Sequence, residues 1–416
     1  MTGSIPLSVL DLVPITSGST PREALGNTLD LARHAEAFGY HRYWIAEHHM
    51  APGVAGSAPP VVIALVAGAT QHIRVGSGAV QMGHQTPLAV VEQFGILDAV
   101  HPGRIDLGLG RSGRSRNASR AADAAAAAAS GPGPDQGPRT TRRGLHIPAR
   151  FDPAPLLASP RFRAQAKLLQ QPGAETPDYA DQVDETLALL HGTHRTPDGI
   201  DVHAVPGEGA GVEVWILGSS GGASAQVAGR RGLRFAANYH VSPATVLESI
   251  EAYRAAFRPS PTLERPHVLV SADVVVAATD AAARHVAAPY GLWVRSIRTG
   301  LGAMRFASPD EAAAHAWTPD DRALVADRVD TQFVGPPATV ARQLEVLAAE
   351  TGADELMVTT IAHEHADRVR SFQLLAHEWA TRATRTPETT RARLAPATRA
   401  AVPAGAHRPA PGGSPA

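Results

Sequence analysis

Eight short apolar runs recur along the chain, and most of them lead into a helical pattern. The runs are Ile5–Leu10, Tyr43–Ala46, Ile73–Val80, Arg104–Leu109, Val212–Leu217, Arg234–Ala237, Val268–Val276 and Glu355–Thr359. Alternation of strand and helix implies a parallel sheet. Eight such units point to an α/β fold of the (β/α)8 TIM-barrel type, with its active site at the C-terminal ends of the strands. An open doubly wound sheet with fewer strands is the alternative. The first helix is the best punctuated. Thr20 is placed to cap it, Pro21 to open it and Glu23 to complete a capping box. Leu25, Leu29, Ala32, Ala35 and Phe38 follow at helical spacing, and Gly39 ends the pattern. Further helical patterns lie at Ala58–Ala69, Pro87–Val100, Ala223–Arg231, Pro243–Phe257, Pro337–Glu350 and His365–Arg382.

Three segments interrupt the alternation, so one barrel domain over residues 1–382 is expected to carry two insertions and a tail. The first insertion, about 112–178, follows strand four. It holds an alanine run (Ala124–Ala129), a Gly-Pro stretch and a basic stretch, Arg139–Arg143. That composition predicts a largely mobile segment, and its length beside an active site suits a lid. The second, about 289–327 after strand seven, contains Trp293, Arg295, Arg298, Met304, Phe306 and Trp317 and is expected to be ordered. Residues 383–416, rich in Pro, Ala, Arg and Gly, are expected to form a disordered tail.

Composition narrows the chemistry. None of the 416 residues is cysteine, which excludes disulfides, Cys-ligated zinc, iron–sulfur clusters and thiol nucleophiles. The 38 basic and 39 acidic residues give a net charge of −1, without the basic excess of nucleic-acid proteins. No run reaches the roughly 18 apolar residues of a membrane span. Met1–Asp11 lacks the features of a signal peptide, so a cytoplasmic location is expected.

Four motifs carry candidate chemistry. Glu47-His48-His49 ends the second strand, where residues alternate in direction, so either Glu47 or His48 faces the pocket. Histidine there titrates near neutral pH and serves as acid, base or donor. Mutual satisfaction of these side chains is the plainer alternative. His363 and His365 could complete a metal site, but no H-E-x-x-H spacing occurs and no metal is expected. Gly108–Gly113 matches G-x-G-x-x-G literally, yet it sits on the fourth strand and opens a polar loop. Arg111 within it is an anion ligand or a partner in a rim ion pair. Gly218-Ser219-Ser220-Gly221-Gly222 lies between a strand and a helix, and with Ser224 it offers free N–H groups and hydroxyls to a phosphate. Gly76-Ser77-Gly78-Ala79 breaks the third strand and marks close approach of a ligand or a backbone irregularity.

Taken together, WIAEHH, IRVGSGAV, HPGRIDLGLGRSG, VWILGSSGGASAQVAGRRGL and TGADELMVTT, in that order, resemble the bacterial-luciferase-like flavin-dependent oxidoreductases. The resemblance covers about residues 5–381. It implies a barrel that binds FMN or, in some branches, the deazaflavin F420. It implies that Gly218–Ser224 and Arg111 hold the cofactor phosphate, and that Gly78 and Ala79 lie against the isoalloxazine ring, often across a cis peptide bond. His48 is then the acid/base candidate, and Glu47 orients the site. The expected activity is monooxygenation of a small organic substrate with O2 and reduced FMN. A separate flavin reductase would supply the reduced FMN. An F420-dependent dehydrogenase or reductase and a non-catalytic flavin-binding protein are the alternatives. A second copy of the chain is an open option as a partner. Luciferase proper has a reactive cysteine where this chain has Gly110, so light emission from long-chain aldehydes is not expected, and the resemblance does not name the substrate.

Overall fold

The computed structural model describes residues 5–111 and 137–393. Eight parallel strands close on themselves: β1 (Leu7–Asp11), β2 (Arg42–Ile45), β3 (Arg74–Ser77), β4 (Ile105–Gly110), β5 (Glu213–Gly218), β6 (Arg234–Asn238), β7 (Val268–Val276) and β8 (Glu355–Thr359). Each pairs with the next, and β8 returns to β1 through Leu7↔Leu356 and Val9↔Val358. The expected barrel is present, and the open sheet is excluded.

Eight helices follow the strands: α1 (Pro21–Ala37), α2 (Pro59–Ala69), α3 (Pro87–Val100), α4 (Tyr179–Leu190), α5 (Ala223–Arg230), α6 (Val246–Ala256), α7 (Pro337–Thr351) and α8 (His365–Arg393). Thr20 and Glu23 form the reciprocal capping box expected for α1. Among the described residues, no helix is long and apolar enough to cross a membrane.

Strand alternation divides the core in two. Val9, Tyr43, Ile45, Leu107, Ile216 and Val358 point outward into the layer beneath the helices. Leu10, Trp44, Trp215, Leu269 and Met357 point inward and fill the barrel. The N-terminal end is closed by ions. Arg42 Nη1 donates to Asp106 at 2.6 Å, its Nε donates to Glu355 at 2.7 Å, and its guanidinium lies 4.9 Å from the Trp215 ring. These charges are buried and mutually paired, as the low-dielectric interior requires. The ligand-accessible end is therefore the C-terminal one.

Two sequence-based expectations need correction. From residue 137 on, the first insertion is organised rather than largely mobile. It forms a hairpin (Arg139–Thr140 with His146–Ile147) and helices Ala154–Leu157 and Pro160–Leu168. Apolar anchors explain the order: Leu145 and Ile147 are buried, and Arg298 stacks on Phe151 at 3.8 Å. The alanine run Ala124–Ala129 lies outside the described residues. The expected tail begins too early, because α8 continues to Arg393; the stretch after Arg382 holds Pro387 and four threonines, so its composition does not account for the extra helical turns. The excursion after β7 is ordered as expected, with helices Tyr290–Arg298, Pro309–Ala313 and Pro319–Val329. It folds over the barrel mouth, where the Gly53 amide donates to the Ala303 carbonyl and the Phe306 amide to that of Ile15.

Candidate active site

A cavity of about 520 Å³ opens at the C-terminal mouth, within the size range of small-molecule sites. Glu47, His48, Gly78, Ala79, Arg111, Gly218, Ser219 and Ser224 all line it. The sequence motifs of β2, β3, β4 and β5 thus converge on one space. Ser220, Gly221 and Gly222 are not part of the lining. Gly222 N–H faces Ser220 Oγ at 3.4 Å, and Gly221 packs toward α6, where an added β-carbon would meet Ala252 at 3.2 Å. They shape the turn and open α5, whose first N–H groups have no intrahelical acceptors.

The third strand stops at Ser77, and the Gly78–Ala79 peptide bond is cis, as the resemblance implies. Val80 and Gln81 then resume pairing with Leu109 and Gly110. A β-carbon on Gly78 would meet Leu10 Cδ1 at 2.8 Å and Trp44 at 3.4 Å, so only glycine leaves this part of the floor flat. Gly108 has a different duty. Its amide and carbonyl both meet Ser77 Oγ at 2.9 Å, and an added β-carbon would meet Ser77 O at 2.0 Å. It is a strand-packing glycine, which accounts for one of the three glycines of the apparent dinucleotide motif; Gly113 lies outside the described residues.

Glu47 and His48 both line the cavity, where strand alternation predicts only one of them, but they take different surroundings. The His48 Nδ1 atom is buried and has no hydrogen-bond partner among the described residues. Burial pushes the imidazole down to about 4 and His49 adds to this, although the Glu47 charge opposes both. At neutral pH His48 is therefore an uncharged proton carrier. Glu47 turns toward β3 instead. Its Oε1 lies 2.8 Å from His49 Nε2 and 2.9 Å from His84 Nε2, and its Oε2 accepts the Gln81 amide at 2.9 Å. Burial alone would raise the Glu47 carboxyl, but these hydrogen bonds outweigh it and hold the group below the ordinary carboxylate value.

Glu47, His49 and His84 also form a set whose ligand atoms lie within 4.8 Å of one another. The spacing is that of hydrogen bonds. Nitrogen and oxygen ligands about 2.0–2.1 Å from a tetrahedral zinc would stand about 3.3 Å apart. The two histidines weighed from the sequence as a third ligand have other neighbours: His365 Nε2 sits 2.8 Å from Asp30, on a contact between α8 and α1, and His363 Nε2 lies 3.5 Å from Glu364.

The far wall comes from residues without a sequence signature. His240 Nδ1 lies 2.7 Å from Ser271 Oγ. Burial pushes His240 down to about 3, with further lowering from Arg328 and His48. Beside it the Tyr290 hydroxyl donates to Asp273, and Arg328 Nη2 donates to the Tyr290 oxygen at 2.7 Å. Burial raises the Asp273 carboxyl despite Arg328 and Tyr290. His84, His240, Asp273 and Arg328 come from four separate stretches of chain, so no local spacing could have announced them.

Comparisons with known proteins identify the family. The family model for luciferase-like monooxygenase matches residues 5–130 and 161–355. A luciferase-like monooxygenase of Escherichia coli (strain K12) is 34% identical over 371 residues, 89% of this chain and 96% of that protein. The crystal structure of apo-MsnO8 is 31% identical, covers 90% of this chain and 98% of its own, and superposes with a TM-score of 0.72. The FMN complex of the oxygenating constituent of 3,6-diketocamphane monooxygenase from Pseudomonas putida shares the fold, with a TM-score of 0.59 at 19% identity over 91% and 98% of the two chains. The chain belongs to the luciferase-like monooxygenase family.

Proposed function

We propose that this protein is a flavin-dependent monooxygenase that uses reduced FMN, delivered by a separate reductase, and O2 on a small organic substrate. The observation that carries the reading is the convergence of Arg111, the β5–α5 turn and the unpartnered His48 nitrogen on one cavity with a flat floor. Family membership supports monooxygenase chemistry.

The residues present suit FMN. Arg111, the hydroxyls of Ser219 and Ser224 and the first N–H groups of α5 form a donor set for a phosphate, aided by the helix dipole. Gly78, Leu10 and Trp44 offer a flat apolar bed for a tricyclic ring. Bound there, reduced FMN supplies the two electrons with which one atom of O2 enters the substrate while the other leaves as water. The chain's own work is then positional. Leu10, Trp44, Leu269 and Met357 exclude water from the ring side of the cavity. His48, neutral at working pH, takes up or releases a proton at Nδ1. Glu47 fixes the β2 and β3 ends relative to one another through Gln81 and His84.

The test is anaerobic titration of the apoprotein with FMN, reduced FMN and F420, followed by O2 uptake with candidate substrates. The reading expects reduced FMN to bind. Binding of F420 in its place would reassign the barrel to hydride transfer.

A further inference from the structure

The charged groups in the cavity wall are nearly all accounted for. Glu47 is engaged by His49, His84 and Gln81. Asp273 is matched by Tyr290 and Arg328. Arg111 belongs to the proposed phosphate site. Arg161 remains. It lies in helix Pro160–Leu168 of the first insertion and lines the cavity half-buried, with no hydrogen bond or ion pair among the described residues.

Its position is set by the excursion after β7. A β-carbon on Gly302, which has a φ of +81°, would come within 2.8 Å of Arg161 Nε and 3.0 Å of its Nη2, so the guanidinium lies against the Gly302 backbone. Gly300 packs on Ser159 in the same way, at 3.5 Å from an added β-carbon. The two insertions thus meet in one lip over the cavity. Phe162, Trp293 and Ile297 line the cavity with Arg161 and are apolar. A guanidinium partly withdrawn from water beside apolar surface lacks the counter-charge that would offset its lost hydration. Its fork of donors matches a carboxylate or sulfonate in two parallel hydrogen bonds.

We propose that the substrate is an organic anion whose carboxylate or sulfonate is bound by Arg161 at this lip. Its apolar body lies along Trp293 and Ile297, and the atom to be oxidised points inward toward His48. Arg161 is then a specificity-determining residue contributed by the insertion after β4. The inference rests on the monooxygenase reading for what happens to the inner end. The charge preference of the lip is independent of it.

The test is calorimetric binding to the FMN-loaded protein of 4-phenylbutyrate and of 4-phenylbutanamide, its neutral isostere. Wild type, Arg161→Gln and Arg161→Lys are compared, and FMN affinity is measured first for each. Wild type is expected to favour the anion about tenfold or more, the low end for hydrogen bonds to a charged group. Arg161→Gln abolishes that preference and Arg161→Lys keeps part of it, with FMN affinity unchanged in both. Three results overturn the proposal. One is a wild type that does not distinguish the probes, including one that binds neither. Another is a preference that survives in Arg161→Gln. The third is a loss of FMN affinity in Arg161→Gln as large as the loss of anion binding, which would make Arg161 a cofactor ligand. A wild type that binds no FMN contradicts the flavin reading instead, and the probe preference is then still measured on the apoprotein.

Discussion

The imidazoles of His49 and His84 meet edge-on, their centroids 5.1 Å apart and their planes at 86°, and both turn Nε2 onto the same oxygen of Glu47. One buried carboxylate thereby ties the end of β2 to the segment after β3, on either side of the cavity floor. The arrangement is a brace, with His49 hydrogen-bonded to that oxygen and His84 in close polar contact with it.

Replacing that carboxylate tests the brace. Glu47→Gln keeps the shape but removes the charge from these hydrogen bonds, and should lower unfolding free energy by about 1.5–3 kcal/mol. Denaturant titration of variant and wild type measures the difference. Dialysis against a chelator should leave the wild-type thermal midpoint unchanged. A drop on chelation would mean that the three side chains serve a cation.

His48 and His240 predict a pH dependence. Both are held below the ordinary 6.5 by burial, to about 4 and about 3. In the unfolded chain they protonate near 6.5, so the unfolded state binds more protons once pH falls below that value. Their contribution to stability is complete above about pH 6.5 and declines as pH falls toward 4. The thermal midpoint should therefore fall between pH 7 and pH 5. The fall should be shallower in a His48→Gln/His240→Gln variant. Equal slopes would show that the two rings titrate normally.

The outer faces of α2 and α3 bear on assembly. Val61 and Leu65 on α2 and Ile96 and Val100 on α3 are exposed, and α2 carries no charged residue. Adjacent surface helices with apolar outer faces are unusual on a monomer. A second copy of the chain, pairing the same face about a twofold axis, is the partner we expect. Val61→Glu with Ile96→Glu should convert a dimer to a monomer in sedimentation experiments. A wild-type protein that sediments as a monomer would reject this.

The fold was legible because its signal is repetitive. Eight strand-like runs, the Thr20–Glu23 cap and the glycine break at Gly78 each declare themselves within a few residues. The near side of the site was legible for the same reason, since the β2, β3, β4 and β5 motifs each end a strand. The far side was not. His240, Asp273, Tyr290, Arg328 and Arg161 become neighbours only through barrel closure and the packing of two insertions, and no short spacing encodes that. The order of residues 137–178 was missed because a few anchors, Leu145, Ile147 and Phe151, hold a stretch whose overall composition reads as unstructured.

The central claim is that β4 and β5 together grip the phosphate of a flavin. The most direct measurement is equilibrium binding of FMN and of riboflavin, which lacks the phosphate, to wild type and Arg111→Ala. The account predicts that wild type binds FMN far more tightly than riboflavin. It also predicts that Arg111→Ala weakens FMN by about 1.5–3 kcal/mol, the range for a hydrogen bond to a charged group, while riboflavin binding barely changes. Equal affinities of wild type for the two flavins, or an Arg111→Ala variant that binds FMN as wild type does, would contradict it.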